Sequence, residues 1–184
     1  CNASGFMPGE KGATRYWVKE IKLMLLNGFH LNIKRGDYIS NNGIFIIKCG
    51  DSIVEFPIPQ YKRPDIKNAS GPYSSDNNEI DFIDIIIGSE GIYGMLLACK
   101  FSIAKRPSDY LELFARLKNE DKAIKLHDYL YHYFNQDMSR ISALEYFGYN
   151  CKTYMKHKDF LFNNDDEVGV YIRVPIYNDS LDTI

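Results

Sequence analysis

The sequence predicts an α+β fold: an antiparallel sheet, made of an N-terminal meander and a returning C-terminal strand, packed with two or three helices from the second half. Three observations predict it. Turn-forming residues punctuate apolar runs over 15–103, apolar spacing turns helical over 107–147, and a last strand-like run occupies 168–176.

Residues 1–14, small and polar with several glycines, read as a flexible tether, and 15–184 as a single α+β domain. Residues 15–26 are apolar and aromatic with partial alternation. Trp17, Ile21, Met24 and Leu25 also share a helical face, so strand and helix both fit. Asn27-Gly28 predicts a hairpin, because both turn positions favour positive φ, with 29–33 as the return strand. Asn41-Asn42-Gly43 predicts a turn into 44–48, and Cys49-Gly50-Asp51 another into 52–56. Residues 57–78 hold Pro57, Pro59, Pro64 and Pro72 and read as a long loop, of a length that marks function or mobility inside a compact domain.

Strands are expected over 79–87 and 92–103, joined by the turn Gly88-Ser89-Glu90-Gly91. Cys99 alternates with Met95, Leu97, Phe101 and Ile103, which reads as a buried strand face. After Pro107, Leu111, Phe114, Ala115 and Leu117 stand at helical spacing. Asn119 is placed to cap the next helix, with Glu120 and Asp121 in its first turn, and that helix runs through Ile124, His127, Leu130, Tyr131 and Phe134. A third short helix over 139–147 ends at Gly148. A basic stretch, 152–158, and an acidic turn, 163–167, precede the final strand, which is expected to return to the sheet.

The 184 residues are 45% hydrophobic and 25% charged, the balance of a globular protein. A net charge of -2 and a pI near 6.1 argue against a general nucleic-acid-binding surface. No apolar run approaches the ~18 residues of a membrane helix.

The sequence offers little chemistry. His127 and His132 are five apart on the aromatic helix, whereas a helical metal pair wants three or four, so no metal is expected. Asp128 and His132, at i and i+4, suit a surface ion pair. Gly88-Ser89-Glu90-Gly91 lacks the spacing of a nucleophile turn. The acidic groups Asp76, Glu79, Asp81, Asp84 and Asp165, Asp166, Glu167 do not fit a calcium loop and read as solvated edges or, alternatively, as a face for a basic protein surface. No phosphate loop or dinucleotide fingerprint is present, so no cofactor is expected. Cys49, Cys99 and Cys151 fit either one disulfide and a free thiol or three reduced thiols. Tyr129, Tyr131 and Tyr133 surround the helix. They read either as a helix buried on all sides or as an aromatic face left over for a partner. Without a catalytic constellation, the reading is a binder and no enzyme.

Cys1 at the head of the chain, followed by a polar tether, leads to the expectation of a lipidated cysteine, as signal-peptide removal leaves in bacterial lipoproteins. Cys1, the glycine-containing tether and one mixed domain rich in Tyr and Asn resemble the lipoprotein immunity proteins that neutralise periplasmic toxins from rival cells. Within that group, the chain is similar to immunity lipoproteins against type VI secreted phospholipases. The resemblance implies blockade of an effector's active site, a membrane-anchored periplasmic location and no catalytic residues. The alternatives are an accessory lipoprotein of an envelope assembly and a small-ligand-binding lipoprotein. In the long loop, Tyr61 and Tyr73 are the expected partner anchors, with Arg63 and Asp76 as polar contacts around them.

Overall fold

The computed structural model describes residues 2–3, 5–8, 12–62 and 79–177. The fold is α+β, and its eight described strands form three small antiparallel sheets. The chain gathers into two compact units. One takes residues up to 104 apart from 6–9, and the other takes 6–9 and 105 onward.

The first unit opens with a single helical turn, α1 (Thr14–Trp17), and passes directly into β1 (Val18–Met24), so both readings of this segment hold in part. The Asn27-Gly28 hairpin forms as expected. Gly28 sits at φ 80°, Leu25 N–H donates to Phe29 O at 2.8 Å, and β1 pairs with β2 (His30–Lys34). Ile21, Leu23, Leu31 and Ile33 point to the core by simple alternation. The meander stops there. After a turn with Asn42 and Gly43 at positive φ, β3 (Ile44–Cys49) and β4 (Ser52–Pro57) form a two-stranded sheet of their own among the described strands. Phe45 and Ile47 of this hairpin enter the core, where Phe45, Phe56 and Phe82 pack with ring centroids 5.2–5.7 Å apart.

The strand expected over 79–87 is instead a short helix, α2 (Phe82–Ile86). Asp81 Oδ1 accepts from Ile83 N–H at 2.8 Å and starts it, and Phe82, Ile83, Ile85 and Ile86 are all buried. A short apolar run buried on every side has no period that separates helix from strand. β5 (Met95–Phe101) pairs with β1, giving the sheet order β2-β1-β5. Gly94, at φ 146°, approaches the Met24 carbonyl too closely for any Cβ. The buried face expected around Cys99 is not found: Met95, Leu97, Phe101 and Ile103 are exposed, and Cys99 itself is half-buried. β5 is an edge strand, and its register against β1 shifts twice, which breaks the alternation.

In the second unit the first expected helix is also a strand, β6 (Asp109–Leu117). Its nine residues pair one for one with β8 (Val168–Ile176), and β7 (Ala143–Phe147) occupies the other side of β8. The C-terminal strand therefore has the expected bounds but joins the strands of its own unit rather than the N-terminal meander. The helix expected over 139–147 is a 3₁₀ turn, Met138–Arg140, followed by β7. The capped helix is as expected: Asn119 Oδ1 accepts from Lys122 N–H at 3.2 Å and begins α3 (Glu120–Tyr133).

α3 lies on the face of this sheet that carries Leu144, Val168, Val170 and Ile172. On the opposite face, Phe114, Phe147 and Phe162 pack together, with Phe162 just beyond a second short helix, α4 (Lys158–Leu161). A Cβ at Gly169 would run into the Phe114 ring. Lys152, from the basic stretch, is buried here. Its ammonium donates to the carbonyls of Asn164 and Asp165 at 2.8 Å and lies 4.5 Å from the Phe162 ring centroid.

Candidate functional site

α3 carries three exposed tyrosines, Tyr129, Tyr131 and Tyr133. Ala123 is buried, and Leu126, Leu130 and Phe134 are half-buried; at spacings of three and four they form one stripe against the sheet. The tyrosines lie outside that stripe, so the fully buried reading of this helix does not hold. Helical spacing places Tyr129 and Tyr133 on one flank and Ile124, His127 and Tyr131 on the other. Each flank is an aromatic ladder. The Tyr129 and Tyr133 rings stack with centroids 6.0 Å apart, and the His127 and Tyr131 rings with centroids 6.1 Å apart. Tyr129 and Tyr133 are 63% and 65% exposed, and Ile124 is 59% exposed.

The Ile124–His127 flank borders a groove of about 440 Å³ between α3 and β7. Ala123, Ile124, Leu130, Leu144 and Val170 supply its apolar lining, and Glu120, His127, Glu145 and Tyr146 the polar part. Glu120 and Tyr146 mark one part of the rim: Tyr146 O–H donates to Glu120 Oε1 at 2.6 Å. Partial burial, and then the Glu120 carboxylate, push the Tyr146 hydroxyl well above its ordinary pKa, so it stays protonated as a donor. An apolar floor with a few convergent polar groups and exposed aromatic walls is the anatomy of a binding site.

Other candidate residues are distributed differently. Tyr61 lies just past β4 and is partly exposed. Cys1, Arg63, Tyr73 and Asp76 fall outside the described residues. The acidic group expected at a solvated edge is split. Asp84 is buried between Arg15 and Arg35, and Asp81 caps α2 while accepting Gly36 N–H at 2.7 Å. His132 Nδ1 bonds the Asp128 backbone carbonyl at 2.7 Å rather than its carboxylate, while His127 Nδ1 is the ring nitrogen near that carboxylate, at 3.4 Å. Cys49, Cys99 and Cys151 carry no disulfide; burial raises the Cys99 thiol pKa.

The groove itself was invisible in the sequence. One of its walls, β7, reads as a helix, and Glu120 and Tyr146 are 26 positions apart. The dense aromatics of α3 were the available signal.

No helix among the described residues is long and apolar enough to cross a membrane. Comparison with protein-family models, characterised proteins and solved structures finds no match to this chain.

Proposed function

We propose that the protein is a binding module without turnover of its own, which docks a partner protein on the face formed by α3 and β7. The observation that carries this is the exposed His127–Tyr131 ladder beside an apolar groove with the Glu120–Tyr146 pair at its rim. Tyrosine loses little side-chain entropy for the area it buries and dominates many interface energies. In its fuller form the partner is a toxic effector delivered by rival bacteria, a phospholipase being the class suggested by the resemblance. The domain then acts as its immunity protein in the periplasm, held to a membrane by lipid on Cys1.

The test is titration of the purified protein against the effector encoded by a neighbouring gene. A one-to-one complex that silences the effector, and that Ile124→Asp weakens, supports the proposal. Hydrolysis of ester, peptide or glycan by the protein alone contradicts it. Acyl label on the mature protein, lost in Cys1→Ser, tests the anchor.

A second reading, a small-ligand-binding protein, is favoured by the groove's volume, which lies within the usual range for small-molecule sites. Retention of an amphipathic small molecule through purification would support it.

A further inference from the structure

We infer that the α3–β7 groove takes an arginine side chain of the partner protein, an inference that rests on the partner-docking reading above. The rim of the groove holds the Glu120 carboxylate. One of its oxygens accepts the Tyr146 hydroxyl, and among the described residues no cation lies within ion-pair distance of it. A carboxylate has about four acceptor positions, so most of its capacity is open. Lys122 and Lys125, the cations of α3, project by helical spacing away from the groove flank, so that flank is acidic. A buried-stem, charged-tip side chain matches this layout: methylenes against Leu144 and Val170, the head group at Glu120.

Arginine fits better than lysine. Its planar guanidinium can lie on the half-exposed Tyr146 ring while bonding the carboxylate, which a compact ammonium does less well. The same unit holds another Tyr–Glu pair, with an arginine on the neighbouring strand that donates to Ser142 Oγ at 3.2 Å. On β6 and β8, Tyr171 O–H donates to Glu112 Oε1 at 2.9 Å, Arg173 is the register partner of Glu112, and its guanidinium lies 4.6 Å from the Tyr110 ring centroid. At the groove, among the described residues, no arginine pairs with the Glu120 carboxylate of the Tyr146–Glu120 pair.

The experiment titrates the isotope-labelled full chain with two peptides, acetyl-Leu-Arg-Leu-amide and the same peptide with citrulline, the neutral isostere of arginine. Amide shifts are followed by nuclear magnetic resonance. The arginine peptide should shift Ile124, Leu144, Tyr146 and Val170 and half-saturate at about fivefold lower concentration than the citrulline peptide, the usual size of one exposed charge-assisted contact. Glu120→Gln should erase that difference while shifts far from the groove show the fold intact. Lys122→Gln should leave the difference in place. Equal binding of the two peptides, a preference that survives Glu120→Gln, or shifts confined to other residues would overturn the inference. The partner-docking reading is tested separately, by the effector titration: a complex sensitive to Ile124→Asp with no arginine preference removes the arginine and keeps the docking face.

Discussion

Arg35 grips Asp84 with both ends of its guanidinium, Nη2 to Oδ1 at 2.8 Å and Nη1 to Oδ2 at 3.1 Å. The same Arg35 donates to the carbonyls of Val18 and Arg15, and Arg15 reaches back to the carbonyls of Asp84 and Ile87. Two arginines around one buried carboxylate thereby tie α1, the start of β1, the turn after β2, and α2 into one piece. The planar fork suits this, since five donors can meet a carboxylate and carbonyls at once.

Asp84→Asn keeps the shape but leaves two arginines facing a neutral amide. Removing one partner from a buried pair costs about 3–5 kcal/mol, far more than the pair contributes against an apolar replacement. Denaturant unfolding should show a loss in that range. The single domain expected over 15–184 further predicts one melting transition, displaced as a whole by Asp84→Asn. Two transitions with one displaced would divide the chain near residue 104.

Asp81 supplies a pH signature. Burial raises its pKa above the ordinary 3.8, against the opposing pull of the Gly36 and Ile83 amides and Arg35. A carboxyl group with a raised folded pKa binds more protons folded than unfolded. Its contribution is therefore fully present below the unfolded value and lost as pH rises through the folded one. Measured as the unfolding free energy of the native protein minus that of Asp81→Asn, the difference should grow in favour of the native protein as pH falls from neutral toward about 4. A difference that shrinks over that window would reverse the assignment.

The loop anchors expected from the sequence are tested on the same partner. Tyr61→Ala and Tyr73→Ala should each weaken the complex by more than about threefold, or ~0.7 kcal/mol, if the 57–78 segment contacts the effector. Affinities within that margin for both would confine docking to α3 and β7. Thermal unfolding of Tyr61→Ala should change little, because Tyr61 is already partly solvated.

The parts of the fold legible in the sequence were those with local codes. Gly28, Gly43 and Gly50 sit at positive φ where the turns were expected, and Asn119 caps α3 with its own side chain. Structure and sequence pattern part where the decisive information is not local. Leu111, Phe114 and Ala115 share a helical face, yet Leu111, Leu113, Ala115 and Leu117 also alternate, and β8 decides between them by pairing. Phe82 to Ile86 is apolar in any conformation, so the Asp81 cap and burial on all sides select the helix. The buried Asp84 looked like surface charge because its arginines lie 69 and 49 positions away. The groove failed to appear for the same reason, being assembled from α3, β7 and β8, whereas the aromatic ladders on α3 were visible as composition before they had a face.

The α3–β7 face is the surface proposed to dock a partner protein. Amide hydrogen exchange on the protein with and without its effector tests it most directly. Slowed exchange in 120–133 and 143–147 on complex formation, abolished together with binding by Ile124→Asp, is the predicted result. A tight complex that leaves both segments exchanging at their free rates would contradict it.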